Sequence, residues 1–214
     1  MELKNKKFVF LGDSITEGVN TIPFHQQLKE LSSLREAINC GIGGTRIARQ
    51  IEMNDTPYDN DFNLRVDALD SEADGIVVMG GTNDYGHGQA PLGKIEDRDV
   101  YTFYGALHIL CQSLIKKYVG KTIVFMTPLH RHNEYGQGTW KPEGVEQRPL
   151  CDYAQAVRDV CEHYSIPVLD LFACGELRGN DWDWCRLYMP DGLHPNTEGH
   201  KIIAQKLEKF LKNL

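Results

Sequence analysis

Short apolar runs alternate along this chain with longer segments that have the periodicity of helices. Five runs are predicted to be strands, at residues 6–11, 36–39, 75–80, 122–127 and 167–171. The spacing of apolar residues predicts helices near residues 22–34, 45–53, 62–70, 99–118, 150–164 and 196–212. This alternation predicts an α/β fold, in which right-handed crossovers give a parallel sheet covered on both faces.

The length and composition are those of one globular domain. With 214 residues, of which 41% are hydrophobic and 25% charged, the chain is predicted to form a single domain over residues 1–214. A net charge of −7 argues against nucleic acid as a partner, because the phosphate backbone requires a basic surface. No segment has the apolar length of a membrane span. The sequence carries no signal for an oligomeric state.

The amino terminus and the cysteines indicate a cytoplasmic protein. The apolar run that follows the first lysines is too short for a signal peptide, and Gly12-Asp13 interrupts it. Without a secretory signal or a C-x-x-C pair, we expect the cysteines to be reduced thiols that pack as small apolar groups. They are Cys40, Cys111, Cys151, Cys161, Cys174 and Cys185.

Ser14 follows directly on the first predicted strand, within Gly12-Asp13-Ser14-Ile15. The carboxyl edge of an open α/β sheet is where such folds place ligand sites. A serine there has backbone N–H groups beside it that can stabilise a developing negative charge. The alternative is that Asp13 and Ser14 only form a turn and cap a helix.

Asp191-Gly192-Leu193-His194-Pro195, near the other end of the chain, supplies a base and a group to orient it. A serine hydroxyl needs an imidazole to accept its proton. The D-x-x-H spacing lets Asp191 bind one ring nitrogen of His194 while the other nitrogen faces the serine. Taken alone, this segment is better explained as a surface turn, with His194 a surface or capping histidine before Pro195.

Oxyanion donors are predicted after the second and third strands. Asn83, in Gly81-Thr82-Asn83-Asp84, follows the most apolar strand and offers a side-chain amide. The backbone N–H groups of Ser14 and Gly44 are further candidates. Glycine and asparagine also suit a simple turn at these positions.

Together these segments resemble the four sequence blocks of the SGNH hydrolases, the GDSL-type esterases. They occur in the order of that family and span most of the chain; the first block reads GDSI in place of the common GDSL. The resemblance implies a three-layer α/β/α sandwich of the flavodoxin type with a five-stranded parallel sheet, and hydrolysis of esters or thioesters. It also implies that Ser14 is the nucleophile, His194 the base and Asp191 its orienter.

The same resemblance implies an oxyanion hole made by the N–H groups of Ser14 and Gly44 and the amide of Asn83. Gly43 competes with Gly44 for this role, and Gly44 is preferred because it keeps the spacing of the family from Asn39. Neither a cofactor nor a metal ion is expected. The glycines at 41–44 lack the third glycine of a dinucleotide site, where Arg46 stands, and the histidines of His130-Arg131-His132 have no third metal ligand at a known spacing.

The long loops suggest a substrate class. Residues 129–148 and 174–190 show no regular periodicity, and they carry polar and aromatic residues that could bind a sugar. The candidates are Trp140, Trp182, Trp184 and His130. We therefore expect a small-molecule ester substrate, a short-acyl (acetyl) ester of a carbohydrate. A lysophospholipase, a thioesterase and a non-catalytic binding protein of the same fold are the alternatives, and the tryptophans could equally pack the loops down.

Overall fold

The computed structural model describes residues 1–54, 56–136, 140–173 and 176–214. Its strands are β1 (Lys7–Gly12), β2 (Glu36–Gly41), β3 (Gly75–Met79), β4 (Thr122–Met126) and β5 (Val168–Leu169). Its α-helices are α1 (Ser14–Glu17), α2 (Phe24–Ser32), α3 (Phe62–Arg65), α4 (Thr82–His87), α5 (Phe103–Lys117), α6 (Leu150–His163), α7 (Trp182–Tyr188) and α8 (Thr197–Lys212). Short 3-10 turns cover Pro57–Asp59 and Val66–Ala68.

The five strands form one parallel sheet in the order β2-β1-β3-β4-β5. In β1, Phe10 lies opposite Asn39 of β2 and Val77 of β3, so this strand is paired on both sides. The order is that of the flavodoxin-like doubly wound fold, with its switch point between β1 and β3. The predicted three-layer α/β/α architecture is confirmed, and the carboxyl ends of all five strands meet at one edge.

Two apolar cores cover the two faces of the sheet, because alternate side chains of a strand point to opposite sides. Val9 and Leu11 of β1 belong to the core that includes residues of α5 and α6. Phe8 and Phe10 belong to the core formed with α2 and α8. In α8 the buried residues Ile203, Leu207 and Leu211 repeat every fourth position, which aligns them on one helical face.

The helix predicted at 45–53 was wrong, and a buried carboxylate explains why. Residues 43–53 form turns and bends, and the N–H groups of Ile47 and Ala48 donate to Asp84 at 3.0 and 2.8 Å. The N–H of Arg49 donates to the carbonyl of Val100 at 2.8 Å. These bonds replace the i to i−4 bonds that a helix would make, so a contact distant in sequence overrides the local periodicity.

Other differences concern short elements. The stretch 174–190, predicted to be irregular, contains α7, which begins where Asp181 accepts the N–H groups of Asp183 and Trp184. The strand predicted at 167–171 has only the two residues of β5, and the helix at 62–70 is α3 followed by a 3-10 turn. Residues 137–139 of the predicted loop 129–148 and Cys174 lie outside the described residues.

Two findings concern the described residues as a whole. Five of the cysteines are free thiols, and three of these are buried: Cys111, Cys161 and Cys185. No helix in the described ranges combines the length and the apolarity needed to cross a membrane.

Asp13 joins β1 to α1 in a buried position. The carboxyl is 1% exposed and accepts the N–H of Ile15 at 3.0 Å, which caps α1. Burial raises the pKa of Asp13 to about 6, although this hydrogen bond and the nearby His194 and Arg65 favour the charged form. Between about pH 4 and pH 6 the folded protein therefore holds a proton here that the unfolded chain has already released.

Replacing Asp84 tests whether its carboxylate stabilises the backbone at Ile47 and Ala48. In Asp84→Asn the new amide can accept only one of the two N–H groups of Ile47 and Ala48. The other N–H loses its acceptor and faces the NH2 group of the asparagine. We expect the free energy of unfolding to fall by about 1–3 kcal/mol, the cost of an unsatisfied buried donor. Urea denaturation measures it. The control is Asp67→Asn, the same change at an exposed aspartate. Equal stability of the two variants would contradict the assignment.

Replacing Asp13 tests the pH dependence. Between about pH 4 and pH 6 the folded state binds a proton that the unfolded state does not, so stability falls as pH rises through this window, by up to about 3 kcal/mol. Asp13→Asn keeps an oxygen for the Ile15 N–H and removes this loss. Urea denaturation across this range should show that the free energy of unfolding of the variant increases relative to that of the wild type as pH rises. Parallel curves for the two proteins would rule out the raised pKa.

Candidate active site

Ser14 is the first residue of α1, at the carboxyl edge of the sheet. The chain turns sharply there: a Cβ at Gly12 would lie 1.9 Å from Thr16 Oγ1, so glycine is required at that position. In the described part of the chain, the N–H of Ser14 has no hydrogen-bond acceptor. The local fold therefore places the Ser14 hydroxyl at the edge of the sheet, with the N–H of the same residue free to donate a hydrogen bond.

The structure brings Ser14, His194 and Asp191 into one hydrogen-bonded chain. Ser14 Oγ lies 2.9 Å from His194 Nε2, and His194 Nδ1 lies 2.6 Å from Asp191 Oδ2. The other carboxylate oxygen, Oδ1, accepts the N–H groups of Leu193 at 2.9 Å and His194 at 2.7 Å. Serine and histidine are separated by 180 positions and meet through the fold alone.

The carboxylate of Asp191 is held in its charged form. Partial burial raises the pKa of Asp191, but hydrogen bonds from the ring and the N–H of His194 and from Leu193 outweigh it, and the net pKa lies below the ordinary value. An ionised carboxylate can only accept, so the Nδ1 atom of His194 carries the proton. The Nε2 atom is then free to accept the proton of the serine.

Gly43 and Gly44 lie beside this chain, and the fold distinguishes them. The N–H of Gly43 donates to Glu17 Oε2 at 2.7 Å. The N–H of Gly44 has no acceptor among the described residues. Gly44 has a φ of +73°, and a Cβ there would come within 2.4 Å of the Tyr58 ring, so no other residue fits. The donor that remains free at this turn is the one on Gly44.

Asn83 is buried in the first turn of α4. Its Nδ2 donates to the carbonyl of Thr45 at 3.0 Å, and its Oδ1 lies 3.1 Å from His87 Nε2. An amide nitrogen carries two protons, so one remains after the bond to Thr45. Asn83 lines the same cavity as Ser14 and Gly44.

Two depressions meet at Ser14 and His194. One, of about 460 Å³, is lined by the oxyanion candidates Gly43, Gly44 and Asn83. Tyr58, His87 and Arg131 also line it. The other, of about 390 Å³, is lined by Ile15, Val19 and Pro195, among others. A larger depression of about 540 Å³ lies at the opposite edge of the sheet, beside Lys6 and Thr122, and contains none of these groups.

None of the three tryptophan candidates lines either depression at Ser14. Trp140 is 58% exposed and lines a small neighbouring depression with Tyr58 and His87. Trp182 contacts the ring of His132 at 4.8 Å, beside the loop that carries Asp191. Trp184 packs against Tyr188 and Arg178.

His130 has protein partners on two sides. Its Nδ1 atom lies 2.8 Å from Glu134 Oε2, and its ring lies 3.8 Å from the ring of Phe172. Neither depression at Ser14 has His130 in its lining. In the described ranges no three His, Cys, Asp or Glu residues are grouped so as to hold a metal ion.

The sequence analysis assigned no role to three residues that lie next to the candidate site. Arg65 is buried and donates to the carbonyls of Cys40 and Gly12, at the ends of β2 and β1. Arg131 lines the larger of the two depressions at Ser14 and donates to Thr82. His87 lies four residues after Asn83, a spacing that indicates contact only if residues 82–87 are recognised as a helix.

Comparisons with known proteins identify the family and the fold. A sequence profile of the GDSL-like lipase/acylhydrolase family matches residues 10–202. The structure of a protein from Lactobacillus plantarum is 31% identical, with a TM-score of 0.84 and 98% of each chain covered. A lipase/acylhydrolase from Enterococcus faecalis has 19% identity and a TM-score of 0.68, covering 97% of this chain and 96% of that one.

A carbohydrate acetylesterase family member from Sinorhizobium meliloti has 19% identity and a TM-score of 0.64, covering 97% of this chain and 98% of that one. At 19% identity, this structure and the one from Enterococcus faecalis show the shared fold alone. Comparison with curated protein sequences gives no significant match. Because the family profile extends over most of the sequence, the chain belongs to the GDSL-like lipase/acylhydrolase family and is a hydrolase that acts on esters.

Proposed function

We propose that this protein is a serine esterase that cleaves a short-acyl ester, an acetyl ester of a carbohydrate, through an acyl-enzyme. The observation that carries the proposal is the continuous chain from Ser14 Oγ to His194 at 2.9 Å and from His194 to Asp191 at 2.6 Å. Nucleophile, base and orienting carboxylate are already within hydrogen-bonding distance, which is the arrangement that acyl transfer requires.

The first half-reaction forms the acyl-enzyme. His194 Nε2 takes the proton of Ser14 as the hydroxyl oxygen attacks the ester carbonyl carbon. The resulting oxyanion is bound by the N–H groups of Ser14 and Gly44 and by the free amide proton of Asn83. The tetrahedral intermediate then collapses, the carbon–oxygen bond to the alcohol breaks, and His194 gives its proton to the leaving alcohol.

The second half-reaction returns the free enzyme. Water attacks the acyl carbon, His194 takes a proton from it, and the same donors bind the second oxyanion. Collapse releases the carboxylic acid, and the proton returns to Ser14. Asp191 keeps the proton of the imidazole on Nδ1 in the ground state and stabilises the imidazolium in both steps.

The surroundings of Ser14 support a polar substrate. The 460 Å³ depression has Tyr58 and Arg131 in its lining, and a phenol hydroxyl and a guanidinium can bind the hydroxyl groups of a sugar. Trp140 offers an exposed ring next to it, a surface on which a sugar ring can stack. The fold is also that of a carbohydrate acetylesterase family member.

A second candidate is an esterase for longer acyl groups, such as a lysophospholipase or thioesterase. The 390 Å³ depression favours it, because Ile15, Val19 and Pro195 give that side an apolar lining. The two candidates share the same catalytic steps and differ in the acyl length that the enzyme prefers.

Hydrolysis of p-nitrophenyl esters, from acetyl to octanoyl, tests the chemistry and the acyl length together. We expect acetate to be cleaved fastest, and Ser14→Ala to lose about 10⁴- to 10⁶-fold in kcat. The control is Ser71→Ala, an exposed serine distant from the site. A rate that rises steadily to octanoate would favour the second candidate. Undiminished activity of Ser14→Ala would refute the nucleophile.

Arg131→Gln tests the sugar subsite. A hydrogen bond from a charged donor to a substrate hydroxyl is worth about 1.5–3 kcal/mol, so KM for an acetylated xyloside should rise roughly tenfold or more. The kcat for p-nitrophenyl acetate, which has no sugar, should stay close to that of the wild type. Arg98→Gln, an exposed arginine, is the matched control. An equal loss on both substrates would mean that Arg131 supports the fold around Thr82 instead.

A further inference from the structure

A second hydrogen-bonded chain runs behind the candidate oxyanion hole. Arg46 Nη2 lies 2.6 Å from His87 Nδ1, and His87 Nε2 lies 3.1 Å from Asn83 Oδ1. The same Arg46 nitrogen also reaches the carbonyl of His87 at 3.4 Å. None of these three residues takes part in the Ser14–His194–Asp191 chain, yet the last member, Asn83, faces the same cavity as Ser14.

The donors and acceptors of this chain follow from chemistry. A guanidinium can only donate, so His87 Nδ1 must accept and the proton of the neutral imidazole lies on Nε2. That proton is donated to Asn83 Oδ1. With its oxygen occupied, Asn83 must direct its NH2 group the other way, towards the carbonyl of Thr45, 3.0 Å from Nδ2, and towards the cavity.

Within the described ranges no carboxylate lies in ion-pair distance of the half-buried Arg46, although the charges of Asp84 and Asp59 act on it from farther away and favour its charged form. Its Nε atom is buried and has no hydrogen-bond partner among those residues. Leaving a buried donor unpaired costs free energy, so the position of this side chain requires another explanation.

The surroundings keep His87 neutral. Burial among its neighbours and the positive charges of Arg46 and Arg131 lower the pKa of His87 to about 4, although its outer face is open to the cavity. At neutral pH the ring therefore has one donor and one acceptor, as the chain of hydrogen bonds requires.

We propose that His87 and Arg46 are positioning residues that fix the orientation of the Asn83 amide, so that its NH2 group and not its oxygen faces the oxyanion. The proposal rests on the proposed function. The two ends of an amide have nearly the same shape, and a reversed amide would place a carbonyl oxygen against the developing negative charge. The hydrogen bond from His87 opposes that reversal before the substrate arrives, which is electrostatic preorganisation.

A double-mutant cycle tests whether His87 acts through Asn83. Asn83→Ala should lower kcat by about 10²- to 10³-fold, as expected for the loss of one oxyanion donor. His87→Leu should lower kcat about tenfold with little change in KM, and His87→Gln, whose amide can donate to Asn83, should recover most of that loss. In the Asn83→Ala background, His87→Leu should have almost no further effect.

The outcomes separate the inference from the function on which it rests. The same loss from His87→Leu in both backgrounds, or no loss in either, would overturn the positioning role while leaving the esterase intact. No loss from Asn83→Ala, or activity without Ser14, would refute the proposed function itself. The matched control for the loss of an exposed imidazole is His163→Leu, which should change kcat in neither background.

A measurement without turnover tests the same assignment. Long-range ¹H–¹⁵N NMR of the histidine rings should show His87 as the Nε2–H tautomer at neutral pH. In Arg46→Met, which removes the donor to Nδ1, the Nδ1–H tautomer should become populated, while the ring of His163 stays unchanged. An Nδ1–H tautomer or an imidazolium at His87 in the wild type would overturn the proposal even if the variants fail to fold.

Discussion

The buried guanidinium of Arg65 joins the parts of the chain on which the site depends. It donates to the carbonyl of Gly12, where β1 ends, to the carbonyl of Cys40 near the end of β2, and to the hydroxyl of Thr45, with distances of 3.0–3.2 Å. The carbonyl of Gly12 also accepts the N–H of Ile42 at 3.1 Å, so Arg65 adds a second donor there and links the ends of β1 and β2 from α3. Burial lowers the pKa of Arg65 to about 10.

Helix α4 holds the segment after β2, from Thr45 to Ala48, on the side opposite Arg65. Asn83 donates to the carbonyl of Thr45, and the next residue, Asp84, accepts the N–H groups of Ile47 and Ala48. Two successive side chains thus hold the segment that follows Gly44. These three hydrogen bonds therefore link the turn that carries the free N–H of Gly44 to the helix that carries the free amide proton of Asn83.

Features set by local sequence patterns could be predicted, and features set by contacts between residues distant in sequence could not. The buried strands follow from apolar runs, because burial on both faces needs no knowledge of partners. The flavodoxin-like order of the sheet was implied only by the family resemblance. Ser14, Asp191 and His194 were found through short motifs that occur in a family order. The helix predicted at 45–53 was wrong because a carboxylate at position 84 takes its N–H groups. Helix α4 was missed because Gly81 and Gly86 resemble turn residues, and with it the contact between His87 and Asn83.

The two hydrogen-bonded chains at the site have opposite effects on the protonation of their histidines. In the chain through His194 the final partner is the carboxylate of Asp191, and in the proposed mechanism this negative charge stabilises the imidazolium that forms when the ring takes the proton of Ser14. In the chain through His87 the final partner is the cation Arg46, which opposes a positive imidazole. The two roles proposed for these histidines, proton transfer for His194 and a fixed tautomer for His87, therefore follow from the charge of the residue behind each ring, a carboxylate in one case and a guanidinium in the other.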